Sequence, residues 1–102
     1  MSYRVRFSIE AEEDLTRLYE FILDRDDSDW SLAEKAFAAI ESGVRVLEFS
    51  PFTCRKAATG MPFLRELVIP FSATGYVALF EIDSSDTVTI LAVRHQREDD
   101  YR

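Results

Sequence analysis

The sequence predicts an α+β fold: an antiparallel helical hairpin packed on a small, mainly antiparallel four-stranded sheet, in the order β-α-α-β-β-β. Three observations carry this. A short alternating segment opens the chain, two segments with helical apolar spacing follow, and three β-rich runs with short connections complete it. With 102 residues, 47% of them hydrophobic, the chain is long enough for one core and too apolar for disorder, so residues 1–102 are read as a single domain.

Tyr3, Val5 and Phe7 alternate with Arg4, Arg6 and Ser8, the pattern of a strand with one buried face. Ser8 then suits the cap of a helix whose first turn is acidic, as the helix dipole favours. Ala11, Leu15, Leu18 or Tyr19, and Ile22 keep helical spacing to about Arg25, and Asp26-Asp27-Ser28-Asp29 is a polar connection. The second helix is marked by Trp30, Ala33, Phe37, Ile40, Val44 and Leu47. Ser31 with Glu34 forms a possible capping box, with Asp29 as the competing cap. Two amphipathic helices with so short a link lie antiparallel.

Ser50-Pro51 ends the second helix, and Phe52 to Pro62 reads as a loop carrying Arg55 and Lys56. Phe63 to Phe71 is a strand broken at Pro70, Tyr76 to Asp83 a second, and Thr87 to His95 a third, with a turn at Ser84-Ser85-Asp86. These three form a meander that the first strand joins. The core is expected to contain Leu15, Leu18, Ile22, Phe37, Ile40, Val44, Leu67, Ile69, Leu79, Ile90 and Val93, or their immediate neighbours.

Charge is unevenly placed. The chain carries a net charge of −7, but Glu10 to Glu34 alone holds −8, while Arg45, Arg55, Lys56 and Arg65 against Glu48 give a +3 segment. This asymmetry suits docking to another protein and opposes non-specific binding to a phosphate backbone. The basic cluster Arg94-His95-Gln96-Arg97 follows the last strand, a rigid place from which to aim side chains, although a solvated, charge-rich tail is the plain alternative.

Catalytic signals are weak. One histidine and one cysteine do not make a metal site, and Gly43, Gly60 and Gly75 are too scattered for a phosphate loop. Glu12, Glu13 and Asp14 fan around a helix as a solvated face, and Cys54 reads as an inert apolar residue. No cofactor, metal or catalytic residue is expected. The start Met1-Ser2-Tyr3-Arg4 leads into no apolar targeting segment, and no run reaches the roughly 18 apolar residues of a membrane span, so a cytoplasmic location is expected.

Ala11-Glu12-Glu13-Asp14-Leu15, Phe63-Leu64-Arg65-Glu66-Leu67, Tyr76-Val77-Ala78-Leu79-Phe80-Glu81-Ile82-Asp83 and Val88-Thr89-Ile90-Leu91-Ala92-Val93-Arg94-His95-Gln96-Arg97, in this order, resemble the RelE/ParE toxin superfamily of bacterial type II toxin–antitoxin modules. The resemblance covers essentially the whole chain. It implies a toxin neutralised by a cognate antitoxin, acting either as a ParE-like inhibitor of DNA gyrase or as a RelE-like ribosome-dependent messenger-RNA endonuclease. A non-toxic interaction module of the same fold is a further alternative. Val77 stands where the nuclease pattern places arginine, Glu81 where many members are basic, and Tyr101 lies six residues beyond His95, so the ParE-like branch is favoured. Arg65, Arg94, His95 and Arg97 are then the expected target-binding residues, and Tyr19, Tyr76 and Phe80 the expected antitoxin contacts.

Overall fold

The computed structural model describes residues 2–25, 30–71, 74–83 and 86–96. Strand β1 spans Arg4–Phe7, helix α1 Ile9–Arg25 and helix α2 Trp30–Arg45. Single 3-10 turns at Val46–Glu48 and Pro51–Thr53 lead to β2 (Arg55–Lys56), β3 (Leu64–Phe71), β4 (Thr74–Ile82) and β5 (Thr87–His95). The expected class holds: two helices pack on one sheet whose last three strands form an antiparallel meander.

The sheet has five strands rather than four, in the order β1-β5-β4-β3-β2. The additional strand falls in the expected loop, where Arg55 pairs with Glu66 and Lys56 with Arg65. Two polar residues are too few to show a period, so this edge strand left no mark in the sequence. β1 runs parallel to β5, its partner at the far end of the chain, with both helices and the other three strands between them in sequence. β3 continues through Pro70 to Phe71, with Pro70 opposite Gly75 at the hairpin end. Gly75 is required there because a Cβ would collide with the carbonyl oxygen of Ile69.

Val5, Phe7, Leu67, Ile69, Tyr76, Ala78, Phe80, Ile82, Val88, Ile90 and Val93 meet Leu18, Ile40, Val44 and Leu47 in the core. Leu79, expected inside, is half-buried, and its neighbours Ala78 and Phe80 take the core positions. The run from Tyr76 to Phe80 is apolar throughout, so its phase could not be read from alternation. Trp30 opens the apolar stripe of α2 yet is 62% exposed. Trp30 is already helical, so Ser31 lies inside α2, and the competing cap Asp29 is outside the described residues, as is the rest of the polar connection.

A bulge between the Leu79–Ala92 and Phe80–Ile90 pairs leaves Leu91 as the extra residue of β5. The α1 start satisfies the backbone around it. Ser8 caps the helix by accepting from the Ala11 N–H (3.0 Å), donates its hydroxyl to the Leu91 carbonyl (3.3 Å), and donates its own N–H to the Ile90 carbonyl (2.9 Å). Asp14 accepts from the Val93 N–H (2.9 Å) and lies 3.8 Å from Arg17. It therefore pins α1 to β5 instead of standing with Glu12 and Glu13 on a solvated face, because β1 pairs with β5 only as far as Ile90 and leaves the Val93 amide beyond it for the helix. No helix among the described residues is long and apolar enough to cross a membrane.

Candidate functional site

The two helices leave a groove of about 460 Å³ between them. Phe7, Leu15, Tyr19, Phe37, Ile40 and Val44 line it, and Glu34 and Glu41 stand at its α2 side. Tyr19 meets Phe37 edge-on, ring centroids 5.3 Å apart. Helical spacing put Leu15 and Phe37 in the expected core, and both are instead half-buried in this groove. An apolar cleft with acidic residues beside it suits apolar anchors on a segment that also carries lysine or arginine.

Of the expected antitoxin contacts, Tyr19 lies in this groove. Tyr76 is 4% exposed and Phe80 0%, so both belong to the core of the chain rather than to an uncovered face. The reason is register: Tyr76 and Phe80 lie opposite Ile69 and Arg65 on the side of the sheet that the helices cover. Burial raises the Tyr76 phenol pKa, keeping it neutral.

Among the described residues, the expected target contacts Arg65 and Arg94 do not converge. Arg65 pairs with Phe80, whereas Arg94 pairs with Val77, three positions away along β4 and on the opposite face. His95 pairs with Tyr76 and meets its ring edge-on at 5.6 Å. Arg94 donates to the His95 carbonyl at 3.3 Å. Arg97 lies outside the described residues.

Arg65 has a different employment. Its Nε donates to the Pro62 carbonyl (2.8 Å), and its Nη1 to the carbonyls of Phe52 (3.1 Å) and Cys54 (2.8 Å). The guanidinium also lies 5.2 Å from the centroid of the Phe52 ring. Glu66, next to it in β3, pairs with Arg55 at 2.9 Å. Arg65→Ala should lower the stability of the fold by about 2 kcal/mol, because charged donors to carbonyls are lost together. Arg65→Lys should restore only part, since an ammonium lacks the planar fork. A urea midpoint unchanged by Arg65→Ala, with growth arrest lost, would instead make Arg65 a target contact.

The opposite face of the sheet carries Val68, Val77, Leu79 and Ala92, with a polar group at one end. Arg6 donates from Nε to the Thr89 hydroxyl (2.8 Å), which donates to Asp83, and Arg6 lies 3.7 Å from Asp83. The hydrogen bonds from Thr89 and Glu81 hold the Asp83 carboxyl below its usual range, and the Asp83 bond raises Glu81. Burial pushes the Cys54 thiol up against the smaller opposing effect of Arg65, which leaves it protonated and a poor nucleophile. Among the described residues, no three His, Cys, Asp or Glu side chains are grouped to hold a metal ion.

Of the features of this site, the sequence concealed the Arg65 clamp and pointed to a groove beside the helical hairpin. The Arg65 clamp carried no signal, because backbone carbonyls have no sequence signature. The groove was foreshadowed by the apolar stripe of α2, which holds more large side chains than the sheet covers.

Comparison with known proteins agrees with this architecture. The family model described as "ParE toxin of type II toxin-antitoxin system, parDE" matches residues 5–100. The chromosomal ParDE toxin–antitoxin system of P. aeruginosa is similar over 91% of this chain and 95% of that one, with 18% identity and a TM-score of 0.71. The toxin–antitoxin complex RelBE2 of Mycobacterium tuberculosis is similar over 96% of this chain and 95% of that one, with 25% identity and a TM-score of 0.61. No curated protein sequence matches the chain.

Proposed function

Because this chain belongs to the ParE toxin family of type II toxin–antitoxin systems, we propose that it arrests growth by inhibiting DNA gyrase and is neutralised by an antitoxin segment seated in the α1–α2 groove. The observation that carries the gyrase branch is the separation of the cations a phosphoryl-transfer site would need. Arg65 is spent on three carbonyls, and Arg94 lies on the other face of the sheet. Stabilising a pentacoordinate phosphate requires donors converging on one point.

The net charge of −7 also favours a protein target over the phosphate-rich surface of a ribosome. The groove, with Glu34 and Glu41 beside it, favours an antitoxin segment with apolar anchors and basic flanks. The likeness to the RelBE2 complex keeps a RelE-like messenger endonuclease as the second reading. Such an assembly acts in the bacterial cytoplasm.

The test is expression of the chain alone and together with the product of its adjacent reading frame. Growth arrest in the first case, relief in the second and co-purification of the two proteins are expected. Unimpaired growth from the chain alone would overturn the toxin reading, and a neighbour that neither relieves nor binds would overturn the antitoxin reading.

A further inference from the structure

At the end of the sheet away from His95, an aromatic surface stands outside the groove. Phe52 (46% exposed), Met61 (51%) and Phe63 (54%) lie on the Pro51–Thr53 turn and the β2–β3 connection. Phe52 and Phe63 meet edge-on at 6.0 Å, and the Arg65 clamp fixes the backbone that carries Phe52. Exposed aromatics held rigid in this way lose little freedom on binding, and large exposed apolar side chains grouped together mark interaction sites. Lys56 is exposed, opposite Arg65 in the β2–β3 ladder, and the segment from Arg45 to Arg65 carries +3 in a chain of −7.

We propose that Phe52, Met61 and Phe63, with Lys56 beside them, form the surface by which the toxin engages an apolar segment of its protein target that carries a carboxylate. The inference rests on the toxin reading above. Charge complementarity selects this partner: Lys56 is exposed on a chain of net charge −7, so a carboxylate is attracted there and repelled by the acidic stretch from Glu10 to Glu34. A single-stranded nucleic acid fits less well. Stacking requires open ring faces, and one face of Phe52 already meets a guanidinium. Tracking phosphates requires several available cations, and Arg55 and Arg65 are engaged with Glu66 and the carbonyls.

The test is antitoxin-free expression of Phe63→Ser, Lys56→Glu and Lys56→Arg, with antitoxin co-purification and circular dichroism reporting the fold. Phe63→Ser and Lys56→Glu should each reduce growth arrest at least tenfold, measured as surviving colonies, while still binding antitoxin; Lys56→Arg should arrest as the wild type does. Lys56 is exposed, so its variants keep the question answerable even if Phe63→Ser misfolds. Wild-type arrest with equal arrest from both disruptive variants would overturn this inference alone. Absence of arrest from the wild type would overturn the toxin reading and this inference with it. Tight binding of a fluorescent oligothymidylate, lost in Phe63→Ser, would overturn the protein partner in favour of nucleic acid.

Discussion

Phe80→Ala should lower the stability of the chain by about 3–5 kcal/mol, the usual cost of deleting a fully buried phenylalanine. Phe80 is 0% exposed and sits mid-strand in β4, between Arg65 of β3 and Ile90 of β5, next to the bulge at Leu91. Strands on both sides and helices above leave no direction from which the sheet could collapse into the void. The bulge is held from Ser8 and Asp14, so its position is fixed as well. A domain of this size has a total stability of about 5–15 kcal/mol, so the variant should lose much of it and fail in both antitoxin binding and growth arrest. Leu79→Ala, one residue away but half-buried, should cost far less. Urea denaturation of the two variants checks this. A Phe80→Ala midpoint close to that of Leu79→Ala would show that the β4 phase described here is wrong.

Phe37→Ala should weaken antitoxin binding about a hundredfold, or about 2.7 kcal/mol, while leaving the chain folded. Phe37 and Tyr19 meet edge-on in the α1–α2 groove, so removing one ring also frees the other to move. Aromatic anchors in a cleft supply much of the energy of a helix-in-groove complex. Because Phe37 is half-buried, its loss should cost the free chain less than a core deletion. Phe63→Ala, on the separate aromatic surface, should leave antitoxin affinity unchanged. Titration calorimetry with the product of the adjacent frame measures both. Equal affinity for wild type and Phe37→Ala would remove the groove as the antitoxin site.

Much of the fold could be read from residues, and the failures have physical reasons. The helices announced themselves through spacing and through the Ser8 cap, which the structure retains. The strand β5 was found to the residue, because Thr87 to His95 is β-branched and bounded by polar turns. What escaped depends on parity and on backbone. Whether Tyr76 and Phe80 or Val77 and Leu79 face the helices cannot be seen in an apolar run, and that choice buried two expected antitoxin contacts. The same parity sent Arg65 and Arg94 to opposite faces, so sharing one sheet did not make them one cluster. Asp14 looked like one of three adjacent acids until the end of β1 at Phe7 left it the Val93 N–H to accept from.

Gyrase is the target we propose for this member of the family. The most direct test incubates the purified chain with supercoiled plasmid, gyrase and ATP, beside a ribosome-programmed messenger-cleavage reaction. Cleaved plasmid should accumulate, prior addition of the antitoxin should prevent it, and the messenger should stay intact. Unaffected plasmid together with a cleaved messenger would contradict gyrase as the target.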